Sequence, residues 1–290
     1  GVQTCALPIW MTGGPAQARE INRAMAQLSQ KWGMVFGVGS QRVMTKDADS
    51  LSTFQVRDVA PDVVLMANIG VNQLRDLGMT VVRDLVDRIE ANILAIHLNP
   101  AMELIQPNAD ADSDFSRGYE SIARAVDTFD GQVIVKECGC GLSPYVVDRL
   151  CKVGVLAVDV SGVGGTSWVK LEAIRAQQRL QEIDGLNENS LSALEYQQQA
   201  QLGLLLQDWG IPTSAAVALS AQYPTQIVAS GGIANPLIAT KAMVLGADIV
   251  GFARPILQAY LNHGTEGADL FIQQFVHGLK ILTALTGSRT

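Results

Sequence analysis

Apolar positions along the chain fall into two alternating kinds of run. Short blocks of β-branched and apolar residues read as buried strands: Met34–Val38, Val63–Ile69, Ile93–Leu98, Val133–Lys136, Leu156–Val160, Ile227–Ala229 and Ile249–Phe252. Between them lie longer stretches with helical spacing: Ala16–Lys31, Val81–Ala91, Phe115–Thr128, Pro144–Val153, Pro212–Gln222 and Pro236–Leu245. Ile21, Ala24, Met25 and Leu28 give the first of these its apolar stripe. Pro212 and Pro236 sit where a first helical turn tolerates a missing N–H. The apolar stub Ala6–Trp10 supplies an eighth strand. Eight βα alternations predict a (β/α)8 TIM barrel rather than an open doubly wound sheet.

Two stretches depart from that rhythm. Residues 161–209 separate the sixth strand from its helix and carry a Gln-rich helical pattern, Tyr196–Gln201, beside the polar turn Asp184–Ser190. An insertion of that length on a βα loop is expected to be an elaborated active-site loop, the alternative being a surface insertion with no catalytic role. Residues 1–9 match a translation of a common short-read sequencing adapter. They are expected to be a non-native segment, with the true N-terminal segment and first strand missing and residues 10–290 forming a single barrel domain.

Length and composition agree with such a domain. The chain has 290 residues, 48% hydrophobic and 17% charged, and a mean hydropathy of +0.19, enough to bury a large core and exclude global disorder. A net charge of −7 with no Lys/Arg run disfavours nucleic acid and anionic membranes as partners. No apolar run approaches the ~20 residues of a membrane helix. Four cysteines, Cys5, Cys138, Cys140 and Cys151, form no CxxC pair and suit a reducing cytoplasm. Cys138-Gly139-Cys140 alone is a weak metal or redox signal.

The candidate chemistry stands at the C-terminal strand ends: Gly37–Arg42, Asn68-Ile69-Gly70, His97-Leu98-Asn99-Pro100, Lys136-Glu137, Asp159–Gly162, Ser230–Ile233 and Ala253-Arg254. One polar strand end means little, but a ring of them reads as a site. Gly231-Gly232 and Ala253-Arg254, after strands seven and eight, fall where barrels hold a phosphate. Lys136 ends an apolar strand, so it either faces an electron-rich cofactor ring or pairs with Glu137 or Glu103. Arg42 has the planar fork that matches phosphate oxygens, or else makes a surface ion pair.

Taken together, Met11-Thr12-Gly13-Gly14, Gly37–Arg42, Asn68-Ile69-Gly70, His97–Pro100, Lys136-Glu137 with Gly139 and Gly141, Ser161–Trp168, Trp209–Thr213 and Gly231–Asn235 resemble the type 2 isopentenyl diphosphate isomerases. The resemblance runs from Trp10 almost to the C-terminus. It implies FMN, Mg2+ and NADPH, a double-bond shift from isopentenyl to dimethylallyl diphosphate, and a cytoplasmic homo-oligomer, tetramer or octamer. By the same resemblance Met11, Thr12, Ser40, Asn68 and Lys136 surround the flavin. Ser161 and Thr166 line its ribityl–phosphate region, and Gly231, Gly232, Ile233, Ala253 and Arg254 hold its phosphate. Ser40, Gln41, Arg42, His97 and Asn99 would bind the substrate diphosphate and Glu103 the metal. Glu172 would join Lys136 as a catalytic group, its bland alternative being a solvated charge near Lys170 and Arg175.

One departure bears on catalysis. The residue before the metal glutamate, usually glutamine in that family, is Met102. A thioether donates no hydrogen bond. Two other readings therefore stand beside the isomerase: an FMN-dependent oxidoreductase of the hydroxy-acid type, and a catalytically impaired flavin-binding homologue. The first needs a histidine base, and only His97, His263 and His277 exist, the last two on helical segments.

Overall fold

A computed structural model describes residues 6–9, 11–14, 16–106, 114–183 and 191–288. Eight strands run parallel: β1 (Ala6–Pro8), β2 (Phe36–Gly37), β3 (Leu65–Gly70), β4 (Ile93–His97), β5 (Val133–Lys136), β6 (Ala157–Asp159), β7 (Gln226–Ala229) and β8 (Ile249–Phe252). From β2 to β8 each strand pairs with its sequence neighbours, and β1 pairs with β8. Closure between β1 and β2 comes from the residues just beyond β1. The Met11 N–H donates to Gly37 O at 3.2 Å and the Gly39 N–H to Thr12 O at 3.1 Å. The predicted barrel is therefore closed, with the apolar stub in the first position.

Period-two alternation decides what fills the barrel. Ile9, Met66, Ile134, Ala157 and Val228 form a buried cluster flanked by Val35, Ile93 and Ile249, so the strands jointly plug the lumen with apolar side chains. Two residues further along their strands stand Asn68, Lys136, Asp159 and Ser230, all buried and polar. The interior thus changes from apolar to polar towards the C-terminal ends. Burying such groups without partners is costly, which demands the hydrogen-bond network described below.

The helices are α1 (Ala16–Trp32), α2 (Val71–Arg88), α3 (Pro100–Ile105), α4 (Gly118–Thr128), α5 (Pro144–Val153), α6 (Trp168–Ile183), α7 (Leu191–Leu205), α8 (Thr213–Ser220), α9 (Pro236–Val244) and α10 (Arg254–Leu285). Local chemistry sets several ends. Ser143 and Asn235 accept from the N–H groups of Val146 and Ile238, each just before a proline, and Gly154 closes α5 in the left-handed region.

One expectation needs correction. α2 starts at Val71, ten residues before the predicted start; Gly78 (φ 77°, ψ 163°) leaves helical geometry and kinks the element just before the predicted segment. Residues 161–209 contain the helices α6 and α7, which pack on each other and on α3; the polar turn Asp184–Ser190 lies outside the described residues. α10 is a 32-residue element kinked at His263 and Gly264, and the helical segments expected around His263 and His277 belong to it. Among the described residues no helix is long and apolar enough to cross a membrane.

Candidate functional site

A hydrogen-bond chain organises the mouth of the barrel around His97. Gln41, 1% exposed, donates from Nε2 to Leu85 O at 2.8 Å. Its Oε1 accepts the Asn68 N–H at 3.2 Å. Asn68 in turn donates from Nδ2 to Val38 O at 3.1 Å and places Oδ1 2.9 Å from His97 Nδ1. This corrects Gln41: both ends of its amide are spent on the backbone, so it supports the site from below instead of meeting a ligand. Burial, then the Lys136 and Arg42 charges, push the His97 imidazole down to about 3. Arg42 is half-buried beside it and has no carboxylate partner among the described residues.

Lys136 is buried, and its ammonium donates to Cys138 Sγ at 3.2 Å. Glu137 points to the other face of β5, where its Oε2 accepts the N–H groups of Cys138, Gly139, Cys140 and Gly141 at 2.5–3.2 Å. Four donors on one carboxylate oxygen fix the β5 loop and leave Lys136 turned to the lumen. Burial raises the Glu137 carboxyl, opposed by those backbone donors. Burial also raises the Cys138 thiol, and burial with the Glu137 charge pushes Cys140 up to about 12, so both stay protonated thiols. Cys138, Cys140 and Cys151 are free.

Four segments then knit together through their backbones. The Gly141 N–H bonds Ser161 O, the Ile211 N–H bonds Cys140 O, and the Val163 N–H bonds Ile211 O. Thr213 Oγ1 donates to Gly231 O at 2.6 Å. Gly231 has φ 88°, and a Cβ there would lie 2.2 Å from Gly162 O. Only glycine allows these loops to touch. Ser161 (φ 36°) holds the same left-handed region with a side chain, a strained end to β6. Among the described residues, the N–H groups of Gly231 and Gly232 donate to no backbone carbonyl. They lie in the β7 loop, and the next strand ends at the exposed start of α10, Ala253-Arg254. Free N–H donors beside a helix start fit the phosphate of a flavin nucleotide.

The opposite edge is held by the β1–α1 loop. Asn22, fully buried, donates to both Thr12 O and Thr53 O at 2.8 Å. Met11, Thr12 and Ser40 remain half-buried at the mouth. Thr166 is exposed, and Ile233 is buried, so only its backbone could meet a ligand.

Glu103 on α3 is 5% exposed; Oε1 accepts from Asn99 Nδ2 at 3.1 Å, and Oε2 has no hydrogen-bond partner among the described residues. A buried carboxylate oxygen without a donor fits a cation, and one carboxylate plus phosphate oxygens and waters is a normal Mg2+ set. Asn99 Nδ2 also lies 3.9 Å from Met102 Sδ. Glu172 is buried on α6, not a solvated charge, and pairs with Arg175 at 2.6 Å; α6 packs on α3, which carries Glu103. Among the described residues no three His, Cys, Asp or Glu side chains form a metal cluster.

The sequence named Asp159 and Thr213 only as parts of motifs, and it missed Asn22 and Gln73. Asp159, fully buried, accepts from Ser230 Oγ at 2.7 Å and from the Ser161 N–H. Asn22 and Thr213 anchor loops through carbonyls that no motif reveals. Gln73, half-buried on α2, borders His97.

Residues 98–290 match the FMN-dependent dehydrogenase family. The chain is 41% identical over 284 residues to the isopentenyl-diphosphate delta-isomerase of a Synechococcus species, covering 96% of this chain and 75% of that one. It is 36% identical to the enzyme of that name from Pyrococcus furiosus, covering 96% and 68%. Among solved structures, a lactate oxidase of Pediococcus acidilactici superposes with a TM-score of 0.61 at 16% identity, over 98% of this chain and 72% of that one. The (S)-mandelate dehydrogenase of Pseudomonas putida gives 0.60 at 15%, over 96% and 75%. These two show a shared barrel.

Proposed function

From membership of the flavin-dependent isopentenyl-diphosphate delta-isomerase family, to which this chain belongs, we propose a division of labour among its residues. The chain interconverts isopentenyl and dimethylallyl diphosphate with FMN. The shift adds a proton at the terminal methylene and removes one from the carbon two bonds inward, with no net redox change. Bound FMN in its reduced form supplies the proton-transfer chemistry at the alkene.

The observation that carries the reading is a pair of cations at the polar mouth: Lys136, buried and in register with His97, and Arg42, half-buried in the turn after β2. Two cations converging where the barrel turns polar make an anion site. Arg42, Ser40 and Asn99 would hold the diphosphate, with Glu103 binding the Mg2+ that neutralises its charge. Lys136 would face the flavin and hold negative charge developing there. Met11, Thr12, Ser40 and Asn68 would flank the ring, Ser161 and Thr166 the ribityl chain. Gly231, Gly232, Ile233, Ala253 and Arg254 would hold its phosphate. Glu172 would relay a proton from α6, and the α6–α7 pair would exclude water. NADPH would reduce the flavin. A cytoplasmic homo-oligomer, tetramer or octamer, fits the resemblance.

Against the hydroxy-acid reading, His263 and His277 are exposed on α10, which leaves no imidazole for base catalysis beyond the proton-poor His97. Parallel anaerobic incubations separate the readings. Isopentenyl diphosphate giving dimethylallyl diphosphate supports the isomerase. Flavin bleaching by 2-hydroxy acids with no isomerisation overturns it.

A further inference from the structure

Alternation along an extended chain sends residues two apart to the same face. At the end of β5 this rule pairs Lys136 with Cys138 and turns Glu137 away from both. Glu137 then fixes the backbone of Cys138, because its Oε2 accepts the Cys138 N–H and the Gly139 N–H, each at 2.6 Å. The thiol is held at its root while its sulfur reaches back to Lys136, whose ammonium donates to Sγ at 3.2 Å. Lys136 is buried and Cys138 half-buried at the mouth.

Burial, opposed by the Lys136 charge, raises the Cys138 thiol, so the ammonium meets a neutral sulfur. A neutral sulfur is a weak acceptor and adds no negative charge of its own. It orients one of the three N–H donors of the ammonium and leaves the cation a cation. A carboxylate at that place would orient the group and also neutralise it. Lysine carries its charge on a flexible four-carbon stem, so an anchor decides where the charge stands.

We propose that Cys138 is a positioning residue for Lys136: its sulfur directs the ammonium at the flavin and thereby sets how strongly the reduced ring is favoured over the oxidised one. Reduced FMN carries more negative charge than oxidised FMN, and a cation held in one place stabilises that charge better than a cation free to move. The Cys138-Gly139-Cys140 segment thus gains a role that is neither metal binding nor disulfide chemistry. The proposal rests on the reading above that Lys136 faces the flavin.

The test is the midpoint potential of the bound flavin, measured by anaerobic reduction of the FMN-loaded chain against a reference dye. Cys138→Ala removes the acceptor. It is expected to cost reduced FMN about tenfold in affinity relative to oxidised FMN, a fall of about 30 mV in a two-electron potential. Cys138→Ser offers a hydroxyl oxygen to the same ammonium and is expected to recover most of that fall. A residue that only packs the loop would weaken both forms of FMN alike and leave the potential in place. An unchanged potential in Cys138→Ala, or equal falls in the alanine and serine variants, overturns the proposal. Cys138→Asp is an independent arm. Its carboxylate would pair with the ammonium and is expected to shift the relative affinity about a hundredfold, a fall of about 60 mV. No fall there shows that position 138 does not act on the flavin, and overturns the proposal as well.

Lys136→Met separates this proposal from the reading beneath it. A fall in Lys136→Met with none in Cys138→Ala rejects the role of Cys138 alone. No fall in either variant rejects the placement of Lys136 at the flavin, and the proposal with it. None of these readouts needs turnover, so a chain that fails to isomerise would not disturb them.

Discussion

Ser230 Oγ donates to Asp159 Oδ1 across 2.7 Å, joining the ends of β6 and β7 at the point where the barrel turns polar. Asp159 also accepts the Ser161 N–H at 3.1 Å and is fully buried. One carboxylate therefore sets the start of the two loops that would hold the flavin phosphate. Asp159→Ala leaves buried donors without an acceptor and is expected to destabilise the fold by about 2–4 kcal/mol. FMN affinity should fall with it. Ser230→Ala, which leaves the carboxylate its other donor, should cost about 1 kcal/mol. Urea unfolding and flavin fluorescence titration check both.

Gly231→Ala should abolish flavin binding, because its Cβ would meet Gly162 O at 2.2 Å and its φ is 88°. Gly33 also has a positive φ, 64°, but nothing lies within 4 Å of a Cβ there. Gly33→Ala should cost about 1 kcal/mol and leave flavin affinity unchanged. Comparing the two by flavin titration separates backbone strain from loop contact.

His97 gives the fold a pH dependence with a definite sign. Its ordinary value is 6.5, and in the folded chain it falls to about 3. Between those limits the unfolded chain binds a proton that the folded chain refuses. Stability from this group is therefore full above about 6.5 and declines as pH falls towards about 3, by ~5 kcal/mol at most. Urea unfolding from pH 7 to pH 4 should show this slope in the native chain and less of it in His97→Gln.

Met102 sits within 3.9 Å of the Asn99 amide, which also serves Glu103. Replacing the thioether with an amide restores a donor and a strong acceptor beside the diphosphate end. Met102→Gln is expected to raise kcat for isomerisation by about tenfold or more, with KM nearly unchanged. Steady-state kinetics on both chains decide it.

Much of this architecture was legible because burial repeats at fixed periods. Val133–Lys136, Ile249–Phe252 and Pro144–Val153 end in the structure where their patterns end. The first half of α2 lies before the kink at Gly78 and was not predicted, and α10 is one element kinked at Gly264 where the sequence offered only helical segments around two histidines. Strand-end composition located the mouth. It could not separate residues facing the lumen from those serving the backbone: Gln41 has the same chemistry as a ligand contact, and only the Leu85 carbonyl shows how its amide is used. Gln73 was missed for the opposite reason, since it enters the mouth from α2, one turn beyond the strand end.

Lys136 is the group through which the central claim is most exposed, since it is the buried cation facing the polar end of the barrel. Lys136→Met should lower kcat by about a hundredfold while leaving a folded, yellow protein. The most direct measurement is proton NMR of isopentenyl diphosphate incubated anaerobically in D2O with the native chain, FMN, NADPH and Mg2+. The expected result is dimethylallyl diphosphate carrying solvent deuterium, strongly reduced in Lys136→Met. A folded, reducible flavoprotein that gives neither product nor deuterium exchange would contradict it.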